Sequence, residues 1–121
     1  MARYVEGFVI RVPKAKLQDY KKMAKTAGKI WMKHGALEYV ECLGDDYPNH
    51  KFCMYFPKLV KPTADEVIIF SFIVYKSKTD RNRITKLIMT DPDMKCDEKN
   101  MPFNPKKMAY AGFSPFVDLR S

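Results

Sequence analysis

The stretch Glu66-Val67-Ile68-Ile69-Phe70-Ser71-Phe72-Ile73-Val74-Tyr75 decides the fold. It is dominated by β-branched and aromatic residues, which suit a pleated surface and lose side-chain freedom in a helix. It reads as a strand. Successive side chains of a strand point to opposite faces, so Ile68, Phe70, Phe72 and Val74 line one side while Val67, Ile69, Ile73 and Tyr75 line the other. Both sides are apolar, and both need covering. The run is about half the ~20 residues that a helix needs to cross a bilayer, which excludes a membrane span here.

Working outward, residues 4 to 12 are rich in Val, Ile, Phe and Tyr and give a first strand that ends at Pro13. It also has apolar residues on both sides, with Phe8, Ile10 and Val12 on one and Val5 and Val9 on the other. From Ala15 to about His34, Leu17, Tyr20, Ala24, Ala27, Trp31 and His34 recur at helical spacing, and Gly35 stands where a C-terminal cap belongs. Leu37 to Leu43 reads as a second strand, closed by Gly44-Asp45-Asp46. The segment from Tyr47 to Asp65 is long for a plain loop, and its aromatic run Phe52-Cys53-Met54-Tyr55-Phe56 is expected to form a short extra strand. Ser77 to Thr90 reads as a second helix, capped by Ser77 or Thr79 and stopped by Asp91-Pro92, and Lys107 to Phe113 as the last strand.

The resulting order, βαβ(β)βαβ, is that of an α+β ferredoxin-like βαββαβ domain with one extra short strand. Right-handed crossovers put both helices on one face of the sheet. The other face stays bare. Each large apolar side chain is worth ~1.5–3 kcal/mol on burial, so several left wet together would be costly and prone to aggregation. A sheet-to-sheet homodimer with a barrel-like core is the economical cover.

The 121 residues fit one domain over residues 1–121, and a chain of this size buries roughly two thirds of its unfolded surface. A hydrophobic content of 46% excludes a disordered basic tail. Residues 1–12 are interrupted by Glu6 and Arg11 and lack a small-residue cleavage site, so no signal peptide is expected. Cys42, Cys53 and Cys96 are odd in number and widely spaced, which argues against a disulfide framework or zinc site and for the cytoplasm.

Several stretches carry a family likeness. Tyr4-Val5-Glu6-Gly7-Phe8-Val9, His34-Gly35-Ala36-Leu37-Glu38-Tyr39-Val40-Glu41-Cys42, Gly44-Asp45-Asp46, Asp65-Glu66-Val67, Phe70-Ser71, Asp91-Pro92, Met101-Pro102-Phe103 and the Tyr110 to Phe116 stretch together resemble the YbaA-like proteins, small bacterial proteins of unknown function. The likeness runs over nearly the whole chain. It implies the dimeric α/β-barrel fold and no established reaction, so it brings no catalytic residues with it. Fold alone does not choose among the oxygenases, haem-handling enzymes, isomerases and ligand sensors of that superfamily.

Three groups of residues invite a functional reading. Residues 11 to 33 hold eight basic side chains against the single acid Asp19, whereas the whole chain has a net charge of +8. Lys14, Lys21, Lys22, Lys25, Lys29 and Lys33 fall within an arc of roughly 120° at ~100° per residue. A solubilising face is the first explanation. An acidic partner docking on Lys21, Lys22, Lys25, Lys29 and Lys33 is the second, and the lack of Arg and of exposed aromatics in the arc argues against nucleic acid.

Glu6 shares a strand face with Tyr4, Phe8 and Ile10, and Glu41 shares one with Leu37, Tyr39 and Leu43. If both point into the dimer-facing interior, each is a candidate general base or ligand anchor, with Tyr110 adding a hydroxyl. Candidate ligand-binding residues are thus Tyr4, Glu6, Tyr39, Glu41, Phe70 and Tyr110. A strand-end carboxylate held by a backbone or basic partner is the plainer alternative. Trp31 and His34 read as core packing and a helix-end histidine near the C-terminal dipole. Asp45, Asp46, His50 and Cys53 make no standard metal set, and no motif calls for a cofactor.

The expected function is therefore a homodimer that binds a small organic ligand in a pocket between the sheet, the helices and the 47–65 loop. Alternatives are a cofactor-free monooxygenase or isomerase using Glu6, Glu41 and Tyr110, and an interaction module that docks an acidic partner on the lysine helix.

Overall fold

The computed structural model describes residues 2–94 and 100–121. β1 (Tyr4–Pro13) leads through a short 3-10 turn into α1 (Leu17–Lys33), then β2 (Glu38–Leu43), α2 (Phe56–Val60), β3 (Glu66–Tyr75), α3 (Lys78–Thr90) and β4 (Met108–Phe113). The sheet order is β2-β3-β1-β4, and each neighbouring pair is antiparallel. β1 and β3, the two strands apolar on both sides, occupy the centre. That is where a sheet with two apolar faces must put them.

Local chemistry sets the boundaries. α1 ends in a left-handed Gly35 with φ of 112°; Ala36 N donates to the Trp31 carbonyl and Gly35 N to that of Met32, a Schellman closure. Ser77 caps α3 by accepting from Asp80 N at 3.0 Å, and Thr79 lies inside the helix.

α1 and α3 cover one face of the sheet. Tyr4, Ile30, Ala36, Ile73, Tyr75, Ile84 and Ile88 form one core cluster. Ile10, Val12, Tyr20, Ala24 and Ile69 form another. The opposite face carries Val5, Gly7 and Val9 of β1, Phe70, Phe72 and Val74 of β3, and Ala109, Ala111 and Phe113 of β4, around an open hollow of about 750 Å³. Phe70 is 48% and Phe113 58% exposed there.

One element differs from the sequence reading. Residues 52–56 do not form an extra strand; the chain bends through them, and Phe56 begins the single-turn α2. Pro57 explains the change, because it fixes a helical φ in the first turn, where its missing N–H costs no helix bond, and it has no N–H for a ladder. Lys61, left-handed at φ of 56°, ends the turn. Phe52 is 85% exposed, and Phe56 stacks instead on Tyr47 with centroids 6.4 Å apart.

Candidate functional site

On the helix-covered face, the packing of α1 against β2 leaves a gap. Tyr39 of β2 comes so close to α1 that a Cβ on Gly28 would lie 2.7 Å from its ring, so only glycine permits this approach. Beside it, Tyr20 of α1 donates from its hydroxyl to Glu41 Oε1 at 2.7 Å, and Tyr39 donates to Oε2 at 3.0 Å. Burial, and then the neighbouring Glu41 carboxylate, push both phenols well above the usual tyrosine range. They remain protonated donors at physiological pH, and each Glu41 oxygen keeps one hydroxyl donor.

This trio lies at the edge of a cavity of about 340 Å³ between the sheet and α1. Phe8, Ile10, Trp31 and Ile73 contribute to its apolar wall, Ser71 adds a hydroxyl, and Met94, Met101 and Phe103 close it from the segment before β4. Methionine is unbranched and polarisable, so a Met-lined wall adapts its shape to an occupant. The 47–65 segment takes no part, contrary to the sequence expectation. Its Leu59 and Val60 line a separate hollow with Val9 and Ala109 on the opposite face, and Arg11 of that face donates to the Lys61 carbonyl. The long connection thus wraps the side of the sheet away from the cavity.

The predicted site residues separate. Tyr39 and Glu41 line the cavity. Glu6 lies on the same sheet face, but β3 runs between it and Glu41, two strand spacings or about 10 Å across. Its carboxylate is already engaged: Tyr75 donates to Oε1 at 2.7 Å and Arg81 Nη1 to Oε2 at 3.0 Å, while Trp31 Nε1 donates to the Tyr75 hydroxyl at 3.0 Å. Glu6 therefore anchors α3 to the sheet, and the plainer alternative for it is the structural one. Tyr4 is core, with its ring over Gly112 and the Arg81 guanidinium 5.0 Å from its centroid. Phe70 belongs to the open face. Tyr110 is 63% exposed on the edge strand and stacks on Phe8 at 5.6 Å, outside the cavity.

Both glutamates face the helices rather than the open face, which corrects their expected placement in the dimer-facing interior. Strand alternation correctly groups each with its neighbours but cannot say which side the helices cover. Sequence reading missed Tyr20 and the closing Met101–Phe103 segment as site residues. Tyr20 was legible only as an inward helix position.

His34 hydrogen-bonds through Nε2 to Asp91 Oδ2 at 2.6 Å, and Lys33 Nζ reaches the same oxygen at 2.8 Å. The histidine thus meets a carboxylate beyond the helix end, and Lys33 leaves the open lysine stripe. Among the described residues, no three of the His, Cys, Asp and Glu side chains gather as a metal set, and Asp45, Asp46, His50 and Cys53 are no exception. Cys42 and Cys53 are exposed free thiols, and Cys96 lies outside the described residues.

Lys21, Lys25 and Lys29 line a second hollow, an open groove of about 610 Å³ between α1 and the outer side of β2. It shares Tyr20, Tyr39 and Glu41 with the inner cavity.

Residues 3–105 match a family described as a protein of unknown function (DUF1428). The chain is 40% identical over 116 residues to the uncharacterized protein YbaA of Escherichia coli strain K12, covering 96% of this chain and 98% of that protein, with the same figures for YbaA of Shigella flexneri. A dimeric ferredoxin-like protein from an uncultured marine organism, solved at 1.85 Å resolution, superposes with a TM-score of 0.56 over 98% of this chain and 100% of that one, at 8% identity. That likeness is one of fold.

Proposed function

The chain belongs to the DUF1428 family of proteins of unknown function, and from that premise we propose that it is a homodimer whose subunits each hold a small, largely apolar organic ligand beneath α1, anchored on Glu41. The single observation that carries this reading is the cavity of about 340 Å³ with the Glu41 carboxylate at its edge, oriented by two phenol hydroxyls. Apolar walls with a few convergent polar groups are the usual make-up of a small-molecule site. An ionised carboxylate offers about four acceptor positions and no donor, and here two are used. The ligand is therefore a compact aromatic or aliphatic molecule bearing a hydroxyl donor.

The open apolar face of the sheet supports the homodimer, since a second copy covers it without leaving a new edge. The exposed free thiols of Cys42 and Cys53 support a reducing compartment, the cytoplasm. Among the described residues no helix is long and apolar enough to cross a membrane. A cofactor-free oxygenase or isomerase would need Glu6 and Tyr110 beside Glu41, and neither is among the described residues that line the cavity. Binding is the reading the geometry favours.

A thermal-shift screen of phenols and hydroxylated aromatics, each paired with its methyl ether, tests this. A ligand at one hundred times its Kd adds about 2.7 kcal/mol, a shift of several degrees. The expected outcome is a hit whose methyl ether fails, and whose affinity falls at least about tenfold in Glu41→Gln, because a hydrogen bond to a charged group is worth ~1.5–3 kcal/mol. A screen without hits, or hits indifferent to both changes, overturns the proposal.

A further inference from the structure

The lysine groove borders a sheet edge. In the order β2-β3-β1-β4, β2 pairs with β3 on one side, and among the described residues no strand pairs with its other side. The main-chain groups along that edge are a template for an added strand. The groove beside it is lined on the helix side by Lys21, Lys25 and Lys29 and on the strand side by Tyr39, Cys42 and Leu43. Among the described residues, none of these three lysines has an acidic partner within ion-pair distance, whereas Lys33 is held by Asp91 and Asp93. Like charges at i, i+4 work against the helix that carries them. Their spacing is informative. Four residues of helix advance about 6 Å, and alternate residues of a strand are about 6.7 Å apart. Three lysines and three alternate strand positions therefore stay nearly in step.

We infer that the β2 edge takes an extended acidic segment of a partner protein by strand addition, with acidic side chains at alternate positions meeting Lys21, Lys25 and Lys29. Backbone hydrogen bonds to β2 supply the register, and the side chains facing α1 supply the charge match. Glu41 also lies on the groove, but Tyr20 and Tyr39 hold its carboxylate in place, and the three ammonium groups outnumber it and leave the groove net positive. The inference rests on the β2 edge and the three lysines and needs no ligand in the inner cavity, although the groove shares Tyr20, Tyr39 and Glu41 with it.

Fluorescence anisotropy with a labelled nonapeptide alternating aspartate and valine tests it. Three companions are a peptide of the same composition with its aspartates clustered, a peptide N-methylated on the edge facing β2, and a single-stranded oligonucleotide. The alternating peptide should bind at low salt and weaken as salt rises. It should lose about tenfold in affinity when Lys21, Lys25 and Lys29 are all changed to Gln, as expected for three exposed ion pairs. The clustered and N-methylated peptides should bind at least several-fold more weakly. Equal binding of the clustered or N-methylated peptide reduces the groove to a diffuse positive surface and overturns strand addition. So does displacement of the peptide by the oligonucleotide, which makes the groove a nucleic-acid surface. A fall in sedimenting mass of the triple variant, with its helical circular dichroism intact, assigns the edge to a second copy and also overturns the inference.

Discussion

At the residue scale, charge and burial act on particular side chains. Asp91, directly after α3, receives hydrogen bonds from Lys33, His34 and the Asp93 amide, and these hold its carboxyl far below the usual aspartate range. A depressed carboxyl contributes stability that is complete above its unfolded pKa of about 3.9 and is lost as pH falls toward the folded value. Wild type should therefore exceed Asp91→Asn in stability by a constant margin at neutral pH, and the margin should shrink below about pH 4. Urea unfolding of both proteins across pH 3–7 checks this, and a margin unchanged at pH 3 would remove the linkage. Asp91 is a residue whose place sequence showed and whose role it did not. Asp91-Pro92 reads as a helix stop, but its partners come from the end of α1, 57 and 58 positions away.

At the element scale, α3 depends on its first turn. The Ser77 hydroxyl satisfies one of the amides that helix geometry leaves without a partner, and replacing such a cap by Ala typically costs ~1 kcal/mol. Ser77→Ala should lower Tm by about 4 °C at fixed protein concentration, and Ser77→Asp should restore most of it. Equal melting of the Ala and wild-type proteins would make the cap idle. Helix limits and caps such as these were legible because they are set by residues within a turn of one another. α2 was not, since Phe52–Phe56 has strand composition and only Pro57, one position beyond, reverses the reading. The central strands were the clearest elements because β1 and β3 are apolar on both sides, a pattern that the middle of a doubly covered sheet requires.

At the scale of the whole molecule, the unresolved demand is the open face of the sheet. Phe70, Phe72, Val74 and Phe113 lie around its hollow, and none of the described helices contributes to its lining. Light scattering should give a mass of about 28 kDa, twice the 14.1 kDa chain. Phe70→Glu should return the mass to that of one chain. Phe70 is half exposed in the single subunit, so its change disturbs the covering of this face more than the helix-side core. A wild-type mass of one chain at micromolar concentration would contradict the homodimer, and a Phe70→Glu protein that remains dimeric would move the interface elsewhere.

The amino-acid sequence by itself determined the strands, the two long helices, their order, and an apolar sheet face in want of a cover, because periodicity and capping are written by neighbouring residues. It also determined that Glu6 shares a face with Tyr4 and Glu41 one with Tyr39, since alternation along a strand admits no other grouping. Only the tertiary structure decided that both faces turn toward the helices, that Glu6 is taken up by Arg81 and Tyr75, and that Tyr20 meets Glu41 at the edge of a cavity. A cavity is the volume left over when side chains from distant segments have packed. No local pattern records that remainder, because it depends on how closely α1 can approach β2, and Gly28 against Tyr39 sets that approach only once the two are folded together.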